Sequence, residues 1–296
     1  MRLLTQDQIR GAIDDVAIVD RMRDALIAQS RGECDTPMPM HLDPPGGEVH
    51  IKSSYRHGGK YFALKMATTF SGAGNGMMLL ASAETGELVV YLADSGHLTD
   101  VRTAAVSAMI ARALGRSDQT IGILGSGIQA RLTARFHARV LPLKRVYLWG
   151  RTPERVASCA EEIRKVVPDV AVLASPAAVA AATRLIVTCT ASRSPLLQAA
   201  DIEDGTHISA VGADAPGKQE LDPEILRRTD VLLVDSLAQC EKLGELQHVA
   251  DQRDRAVELG TFLEQPRATR NSVADLTGLG VEDLFIAEWI YENRNL

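Results

Sequence analysis

Cysteine is scarce in this sequence, and long apolar runs are missing from it. The four cysteines, Cys34, Cys159, Cys189 and Cys240, lie far apart among 296 residues and form no CxxC pair. They indicate neither a disulfide framework nor a zinc site, so we predict no metal site and a reducing, cytoplasmic location. Because no run of about 18 apolar residues occurs and the N-terminus lacks a signal-type apolar core, we expect neither export nor a membrane span.

Basic residues are too few to give the chain a positive charge. The formal net charge is −6, which argues against nucleic acid or an anionic membrane as the main partner. No HExxH, P-loop or serine–histidine–aspartate order occurs, which weakens the interpretation as a protease, hydrolase or nucleotide-hydrolysing enzyme. Hydrophobic residues make up 46% and charged residues 24%, so we expect a globular protein of two domains, or of one domain with a large insertion.

The first third of the chain changes from a helical to a β-type pattern. Residues 5–30 carry apolar side chains at helical spacing and predict one or two amphipathic helices. Four β-type segments separated by glycine-containing turns follow, at residues 49–55, 61–69, 77–82 and 88–92. These hairpin-like connections predict a mainly antiparallel sheet. The next segment predicts a long helix with Thr99 as its N-cap and Gly115 at its end.

The glycine-rich segment TIGILGSGIQA, residues 120–130, predicts a strand, a tight turn and a helix that continues to about Val140. Gly125 permits the sharp turn, Gly127 lets the backbone approach a pyrophosphate, and Ala130 lets the helix pack closely on the strand. Because glycines also mark ordinary turns, this pattern needs support from the segments that follow it.

A second β-type segment, residues 145–149, provides that support. It ends at Gly150-Arg151-Thr152, where a dinucleotide-binding unit places the residues that contact the ribose. Six β-type segments alternate with helical stretches and predict a doubly wound parallel sheet; they lie near residues 121–124, 145–149, 170–174, 184–189, 207–211 and 230–235. Beyond them we predict a helix at 240–250, a loop-rich section, and a last helix at 281–293 that returns to the first domain.

Polar residues follow the fourth and fifth predicted strands, at the edge where open parallel sheets bind ligands. Asp214 and Lys218 follow the fifth strand, so we predict that the chemistry takes place there. The alternative is that Asp214 only forms a turn in a glycine-rich loop. Thr188, Cys189 and Thr190 follow the fourth strand, and we predict that they line a cofactor rather than take part in catalysis.

Three cations precede the predicted dinucleotide domain. Arg102 lies near the start of its helix, where the helix dipole disfavours a cation. It is either a solvated arginine paired with Asp100 or part of an anion site together with the helix N–H groups. Lys52 and Lys65 lie within β-type segments, where they form either a solvent-facing side of the sheet or a pocket for a carboxylate.

Five segments together resemble the ornithine cyclodeaminase/μ-crystallin family over nearly the full chain. They are HLTDVRTAAVSA (97–108), ILGSGIQARL (123–132), WGRTPERV (149–156), SAVGADAPGKQELDPEIL (209–226) and SVADLTGLGVEDL (272–284). The resemblance implies an α/β fold in which a Rossmann doubly wound parallel sheet, residues 116–274, is inserted in an α+β substrate-binding and dimerisation domain, residues 1–115 plus 275–296. It also implies a homodimer.

Members of this family share hydride transfer between a nicotinamide and the α-carbon of an amino or imino acid. The resemblance implies that Lys65 and Arg102 bind the substrate carboxylate and that Asp214 is the acid/base at the substrate nitrogen. Many members have a further carboxylate-binding arginine in a P-x-R segment, where this chain has PMPMHL, and Lys52 could supply the missing charge. This departure favours an NAD(P)H-dependent reductase of a small α-imino acid, cyclic or acyclic.

Other hypotheses stay open at this point: an amino acid cyclodeaminase, an amino acid dehydrogenase, and a μ-crystallin-like NADP-dependent ligand-binding protein. Because Arg151 and Thr152 stand where NAD-selective proteins have an acid, we predict that NADP(H) is favoured over NAD(H). The alternative is that Arg151 only stacks on adenine. The predicted cofactor-binding residues are Gly125, Ser126, Gly127, Ile128, Gln129, Ala130, Arg151, Thr152, Thr188, Cys189, Thr190, Val211 and Lys218.

Overall fold

The structure is a computed structural model that describes residues 1–267 and 269–293. The chain divides into two compact units: the first contains Met1–Arg102 and residues 279–293, and the second contains Thr103–Gly278. The sequence predicted domain boundaries after residues 115 and 274. The observed boundaries lie after Arg102, inside the helix His97–Ala113, and after Gly278, just before the last helix. Residues 294–296 of the predicted first domain lie outside the described residues.

Strands predominate in the first part of the chain, and strands and helices alternate between residues 120 and 188. In the first part they are β1 (Arg2–Leu4), α1 (Gln6–Gly11), α2 (Asp15–Ser30), β2 (Cys34–Asp35), β3 (Met40–Leu42), β4 (Gly47–Arg56), β5 (Tyr61–Phe70), β6 (Ala73–Ser82), β7 (Leu88–Leu92) and α3 (His97–Ala113). They continue with β8 (Thr120–Leu124), α4 (Ile128–Val140), β9 (Arg145–Trp149), α5 (Pro153–Arg164), β10 (Asp169–Val172), α6 (Pro176–Ala182), β11 (Leu185–Thr188), β12 (Arg193–Leu197), β13 (His207–Ala210), β14 (Gln219–Leu221), α7 (Pro223–Arg228), β15 (Val231–Val234), α8 (Leu237–Leu243), β16 (Ala256–Glu258), α9 (Leu259–Glu264), β17 (Ser272–Asp275) and α10 (Gly280–Glu292). Short 3₁₀ helices occur at Ala199–Asp201, Glu245–His248 and Ala250–Arg255.

The first unit is built on a seven-stranded mixed sheet. Its order is β1-β7-β6-β5-β4-β2, and β3 also pairs with β4. Strand β1 runs parallel to β7, and the other pairs are antiparallel. All four predicted strands are present, so the expected hairpin sheet is confirmed.

Helix α10 packs against α2 and against strands β4 and β5 of the same unit. Most of its side chains are buried, which fits its apolar composition on all sides. The helix begins at Gly280, where a Cβ atom would collide with the carbonyl oxygen of Ser53 in β4. Glycine therefore allows the start of α10 to approach the sheet closely.

Helix α3 begins two residues earlier than the sequence predicted. Its first residue is His97, so Thr99 lies inside the first turn and the prediction of Thr99 as N-cap is wrong. Asp94 instead accepts a hydrogen bond from the backbone N–H of Leu98 at 2.7 Å. Burial raises the pKa of the Asp94 carboxyl.

The second unit is built on eight parallel strands in the order β10-β9-β8-β11-β13-β17-β15-β16. Two clusters of buried apolar residues pack against this sheet. One includes Ile121 and Val187, and the other includes Leu124 and Ile208. The predicted α/β class with a Rossmann-type parallel sheet is confirmed. Among the described residues, no helix is both long and apolar enough to cross a bilayer.

The sequence predicted six of these eight strands. The section after Asp235, expected to be loop-rich, also contains β16 and β17, and this part of the prediction was wrong. Strand β17 lies between β13 and β15 and pairs with both. The strand has only four residues; its first, Ser272, and its last, Asp275, are polar. Its apolar signal is therefore too short to recognise, although all four residues are buried.

Candidate functional site

Two buried carboxylates in the first turn of α10 contact two buried cations of the same unit. Arg102 donates from Nε to Asp283 Oδ1 at 3.1 Å and from Nη1 to Glu282 Oε2 at 2.9 Å. The Lys65 Nζ atom lies 3.6 Å from Asp283 Oδ2. None of the four side chains is more than 5% exposed. Opposite charges at these distances offset the cost of burying each one, and the helix N-terminus favours the two carboxylates.

Lys52 adds a third cation to this face of the sheet. It lies directly opposite Lys65 in the β4–β5 pairing, and the two residues are 8% and 3% exposed. Side chains of directly opposed residues leave the same face with Cβ atoms about 4.5–5.5 Å apart. Both alternatives that placed these cations in solvent are therefore wrong: the lysines do not form a solvent-facing side, and Arg102 is only 4% exposed.

The glycine turn between β8 and α4 has the geometry expected of a phosphate-binding turn. Gly125 has φ +141°, and a Cβ atom there would lie 2.7 Å from Cys189 Sγ and 2.8 Å from the Cys189 carbonyl oxygen. At Gly127, the N-cap of α4, a Cβ atom would meet nothing within 4 Å. No side chain caps this helix and its first turn contains no acid. The helix start can therefore accept an anion.

An open cleft of about 350 Å³ lies beside this turn in the second unit. Its lining combines the turn with residues that follow β9 and β11: Gly125, Ser126, Gly127, Trp149, Gly150, Arg151, Thr152, Arg155, Cys189, Thr190, Ala191, Ser192 and Leu196. Arg151 and Arg155 supply positive charge on the side that follows β9. Burial raises the pKa of the Cys189 thiol well above its ordinary value, so this cysteine lines the cleft as a neutral thiol.

Buried Glu220 connects the loops that follow β11 and β13. Its Oε1 accepts hydrogen bonds from the N–H and the hydroxyl of Thr190, each at 2.7 Å. Its Oε2 accepts from the Thr188 hydroxyl at 2.7 Å and from the Gly212 N–H at 2.9 Å. Burial raises the pKa of the Glu220 carboxyl, and these donors act in the opposite direction. Thr190, which lines the cleft, is thereby fixed to the loop that carries Asp214.

Two further buried carboxyls, Glu245 and Asp275, extend the hydrogen-bond network of Glu220. Glu245 accepts hydrogen bonds from the backbone N–H groups of Glu220 and Leu221, at 2.6 and 3.3 Å. Asp275, at the end of β17, accepts from the N–H groups of Glu245 and Leu246, both at 2.9 Å. Burial, together with the charge of Asp275, raises the pKa of Glu245 to about 9. Burial also raises the pKa of Asp275 to about 7.

Asp214 lies on the surface of the second unit, in the loop after β13. Its Oδ1 accepts a hydrogen bond from Lys218 Nζ at 2.6 Å, and its side chain is 49% exposed. This ion pair leaves the carboxylate accessible to solvent.

The structure brings together only part of the predicted cofactor set. Seven predicted residues line the cleft, namely Gly125, Ser126, Gly127, Arg151, Thr152, Cys189 and Thr190. Six others lie outside its lining: Ile128, Gln129 and Ala130 follow the turn in α4, Thr188 is buried on Glu220, Val211 packs on an apolar cluster, and Lys218 pairs with Asp214. Their cofactor role stays a prediction.

Sequence analysis missed the acids that organise both units. Glu282 and Asp283 follow Gly280 at the start of a strongly apolar helix, where an adjacent acidic pair is itself a signal. Asp275 ends strand β17, whose apolar signal is too short to recognise, so its burial could not be predicted. Glu220 and Glu245 lie in segments without a clear apolar pattern, so their burial could not be predicted from the sequence.

Comparison with known proteins identifies the group to which these features belong. Residues 3–295 match the ornithine cyclodeaminase/mu-crystallin family. The chain belongs to this family. An uncharacterized cyclodeaminase of Sinorhizobium fredii is 35% identical in an alignment of 316 positions, which covers 99% of this chain and 95% of that protein. The resemblance noted from five sequence segments is confirmed.

Relatives within the ornithine cyclodeaminase/mu-crystallin family differ in their reactions. An iminosuccinate reductase of Paracoccus denitrificans is 33% identical, with 73% of this chain and 69% of that protein covered. An archaeal alanine dehydrogenase dimer with bound NAD has a similar structure, with a TM-score of 0.89 and 25% identity over 99% of this chain and 95% of that chain. Membership therefore does not fix the reaction.

The buried carboxyls of the second unit predict a pH dependence of stability. Unfolded Asp and Glu lose their protons near pH 4, whereas folded Asp275 and Glu245 retain theirs up to about pH 7 and about pH 9. Burial lowers the pKa of His137 to about 4 and that of His207 to about 3, so below about pH 6.5 these two groups act in the opposite direction. Above that pH the folded state binds more protons, so the free energy of unfolding should fall as pH rises from about 7 to 9. Urea denaturation at a series of pH values measures this slope.

Glu245→Gln removes one of the two titrating groups and should flatten the slope. Glu161→Gln, at an exposed position, is the matched control and should leave the slope as in the wild type. A wild-type profile that is flat or rises between about pH 7 and 9 would contradict the prediction.

Proposed function

We propose that this protein is an NAD(P)H-dependent reductase of a small α-imino acid, with hydride transfer at the α-carbon. The observation that carries the proposal is the buried group of cations in the first unit. Lys52 lies opposite Lys65 on one face of the sheet, and Lys65 and Arg102 both contact Asp283. Neighbouring cationic donors match the negative charge and the two acceptor oxygens of an α-carboxylate.

The cleft of the second unit supports the cofactor part of the proposal. A helix start without a capping side chain favours the pyrophosphate, and Gly127 leaves room for it. Arg151 and Thr152 lie where the adenosine ribose would be contacted, and no acid accompanies them. The archaeal alanine dehydrogenase of similar structure binds NAD. We therefore propose a nicotinamide dinucleotide as cofactor, with the phosphorylated form favoured.

Asp214 is proposed as the acid that serves the substrate nitrogen. Reduction of an imine adds a hydride to carbon and leaves the nitrogen with one more proton, so an acid must act at that nitrogen. When bound, the nicotinamide supplies the hydride. Lys65 and Arg102 fix the carboxylate, which orients the α-carbon. The Lys218 ammonium contacts Asp214 at 2.6 Å and can hold the carboxylate in place between turnovers.

Other members of the family define the competing hypotheses. The Sinorhizobium relative is named as a cyclodeaminase, in which hydride leaves and returns, ammonia is lost and no net redox change occurs. Amino acid oxidation is the reverse of the proposed reaction. A ligand-binding protein without turnover is the non-enzymatic alternative, and the presence of Lys65, Arg102 and Asp214 together argues against it. We also propose a homodimer, the assembly named for the alanine dehydrogenase structure.

The proposal is tested by incubating the purified protein with reduced dinucleotide and a panel of imino acids. Cyclic ketimines and mixtures of amines with 2-oxo acids are tried with NADPH and with NADH. A reductase consumes the reduced nicotinamide, which lowers its absorbance, and forms an amino acid. In a parallel incubation with oxidised dinucleotide and a diamino acid, release of ammonia with no net change in absorbance would instead identify a cyclodeaminase. Binding of substrate and dinucleotide without turnover would support the ligand-binding alternative.

Replacing Asp214 with asparagine should abolish most of the turnover. Asn keeps the size of the side chain but cannot donate a proton and recover it, and such groups contribute roughly 10²–10⁴-fold in rate. Steady-state kinetics measure the loss, while dinucleotide affinity and the urea midpoint should stay unchanged. The matched control is Asp254→Asn, since the side chain of Asp254 is 94% exposed. Near-normal turnover in the Asp214 variant across pH would mean that Asp214 only forms a turn. Lys218 or Lys52 would then be the candidates for the proton donor.

Replacing Arg151 with alanine should weaken NADPH binding much more than NADH binding. A hydrogen bond to a charged group is worth about 1.5–3 kcal/mol, so the expected loss for NADPH is roughly 10- to 100-fold. Fluorescence titration of the protein with each dinucleotide measures both affinities. Equal weakening of the two cofactors would mean that Arg151 stacks on adenine, and a selective loss in Arg155→Ala would assign the phosphate contact to Arg155 instead.

A further inference from the structure

Three potential metal ligands converge at the hairpin formed by β3 and β4, outside the site described above. His41 and His50 are directly opposed in the β3–β4 pairing, and Glu48 lies two residues before His50 on the same face. One ligand atom from each of the three side chains lies within 4.8 Å of the other two. The tight turn that brings them together includes Gly46 at φ +84° and a hydrogen bond from the Gly47 N–H to the Pro44 carbonyl at 3.1 Å.

The contact between His41 and Asp43 fixes which ring nitrogen can bind a metal. His41 Nε2 lies 2.7 Å from Asp43 Oδ1. A carboxylate can only accept a hydrogen bond, so Nε2 carries the proton and Nδ1 carries the lone pair. A carboxylate that accepts from the second nitrogen of a histidine is the usual support for a metal-bound imidazole. The hairpin therefore already contains an orienting contact of the kind that metal sites use.

The distance between the two imidazoles fits ligation by one ion. His41 Nδ1 lies 3.5 Å from His50 Nδ1. Two nitrogens that each lie about 2.0–2.1 Å from a tetrahedral zinc ion are roughly 3.3 Å apart. A hydrogen bond between the nitrogens would be long at this distance. The Glu48 carboxylate is 3.7 Å from His50 Nε2 and 36% exposed, so rotation about its side-chain bonds can bring it to the same ion.

We propose that His41, His50 and Glu48 form a binding site for a divalent transition-metal ion, with Zn²⁺ as the best match. Two imidazoles and one carboxylate are ligands that zinc prefers, and solvent or a further ligand completes the tetrahedron. The ion joins strand β3, which has only three residues and is exposed, to the long strand β4. Occupancy therefore stabilises the hairpin against local opening. The site does not depend on the proposed reductase activity.

Calorimetric titration of the full-length protein with zinc sulfate tests the site. We expect one Zn²⁺ per chain and a rise in thermal midpoint with zinc. His41→Ala removes one ligand and should weaken binding by more than about 10-fold. Asp43→Asn removes only the orienting carboxylate and should weaken binding by roughly 10- to 100-fold without removing a ligand. The matched control is His57→Ala in the same unit, where the histidine contacts Asp35 and should not affect zinc.

Two results would overturn the proposal. One is the absence of zinc binding in the wild-type protein at micromolar concentrations. The other is zinc binding of unchanged affinity in His41→Ala, which would assign the ion to another group, such as the Cys189 thiol. Because His41 and Asp43 are exposed, neither replacement is expected to prevent folding, and the urea midpoint in the presence of a chelator verifies this.

Discussion

Burial of opposite charges at the start of α10 is the constraint on which the first unit depends. Glu282 and Asp283 are almost completely inaccessible to water, so they require cations, and Lys65 and Arg102 provide them. These partners come from β5 and α3, far from α10 in the sequence. The carboxylates therefore fix the directions of two cationic side chains. In the carboxylate site proposed above, such preorganisation would lower the cost of ordering the charged groups.

In the second unit, buried carboxyls are stabilised by backbone N–H donors instead of cations. Glu220 and Asp275 lie inside the unit, where unpaired carboxyls would be costly, and both accept hydrogen bonds from the main chain. Through Glu220 the loops after β11 and β13 are held together, and Thr190 in the first of them lines the cleft. Asp214, in the second loop, remains exposed. The network thus holds the two loops together, while the Asp214 carboxylate remains accessible to solvent.

Membership of the ornithine cyclodeaminase/mu-crystallin family limits the number of candidate reactions but does not identify one of them. The relatives named above include a cyclodeaminase, a dehydrogenase and a reductase, all compatible with the same fold. In this chain Lys52 lies opposite Lys65 on the buried face of the sheet, and the PMPMHL segment contains no arginine. We propose that Lys52 supplies the positive charge that an arginine in that segment would provide.

The sequence by itself determined four of the seven strands of the hairpin sheet, the alternating βα pattern and the glycine turn, because these depend on local periodicity and on backbone conformation. It also placed Asp214 and Arg151 correctly at strand ends. Only the tertiary structure decided that Lys52 is buried, that Glu282 and Asp283 pair with cations, and that β17 inserts between β13 and β15. Periodicity shows which side of an element a residue occupies, but the partner it meets comes from an element far along the chain, and that pairing exists only once the chain has folded.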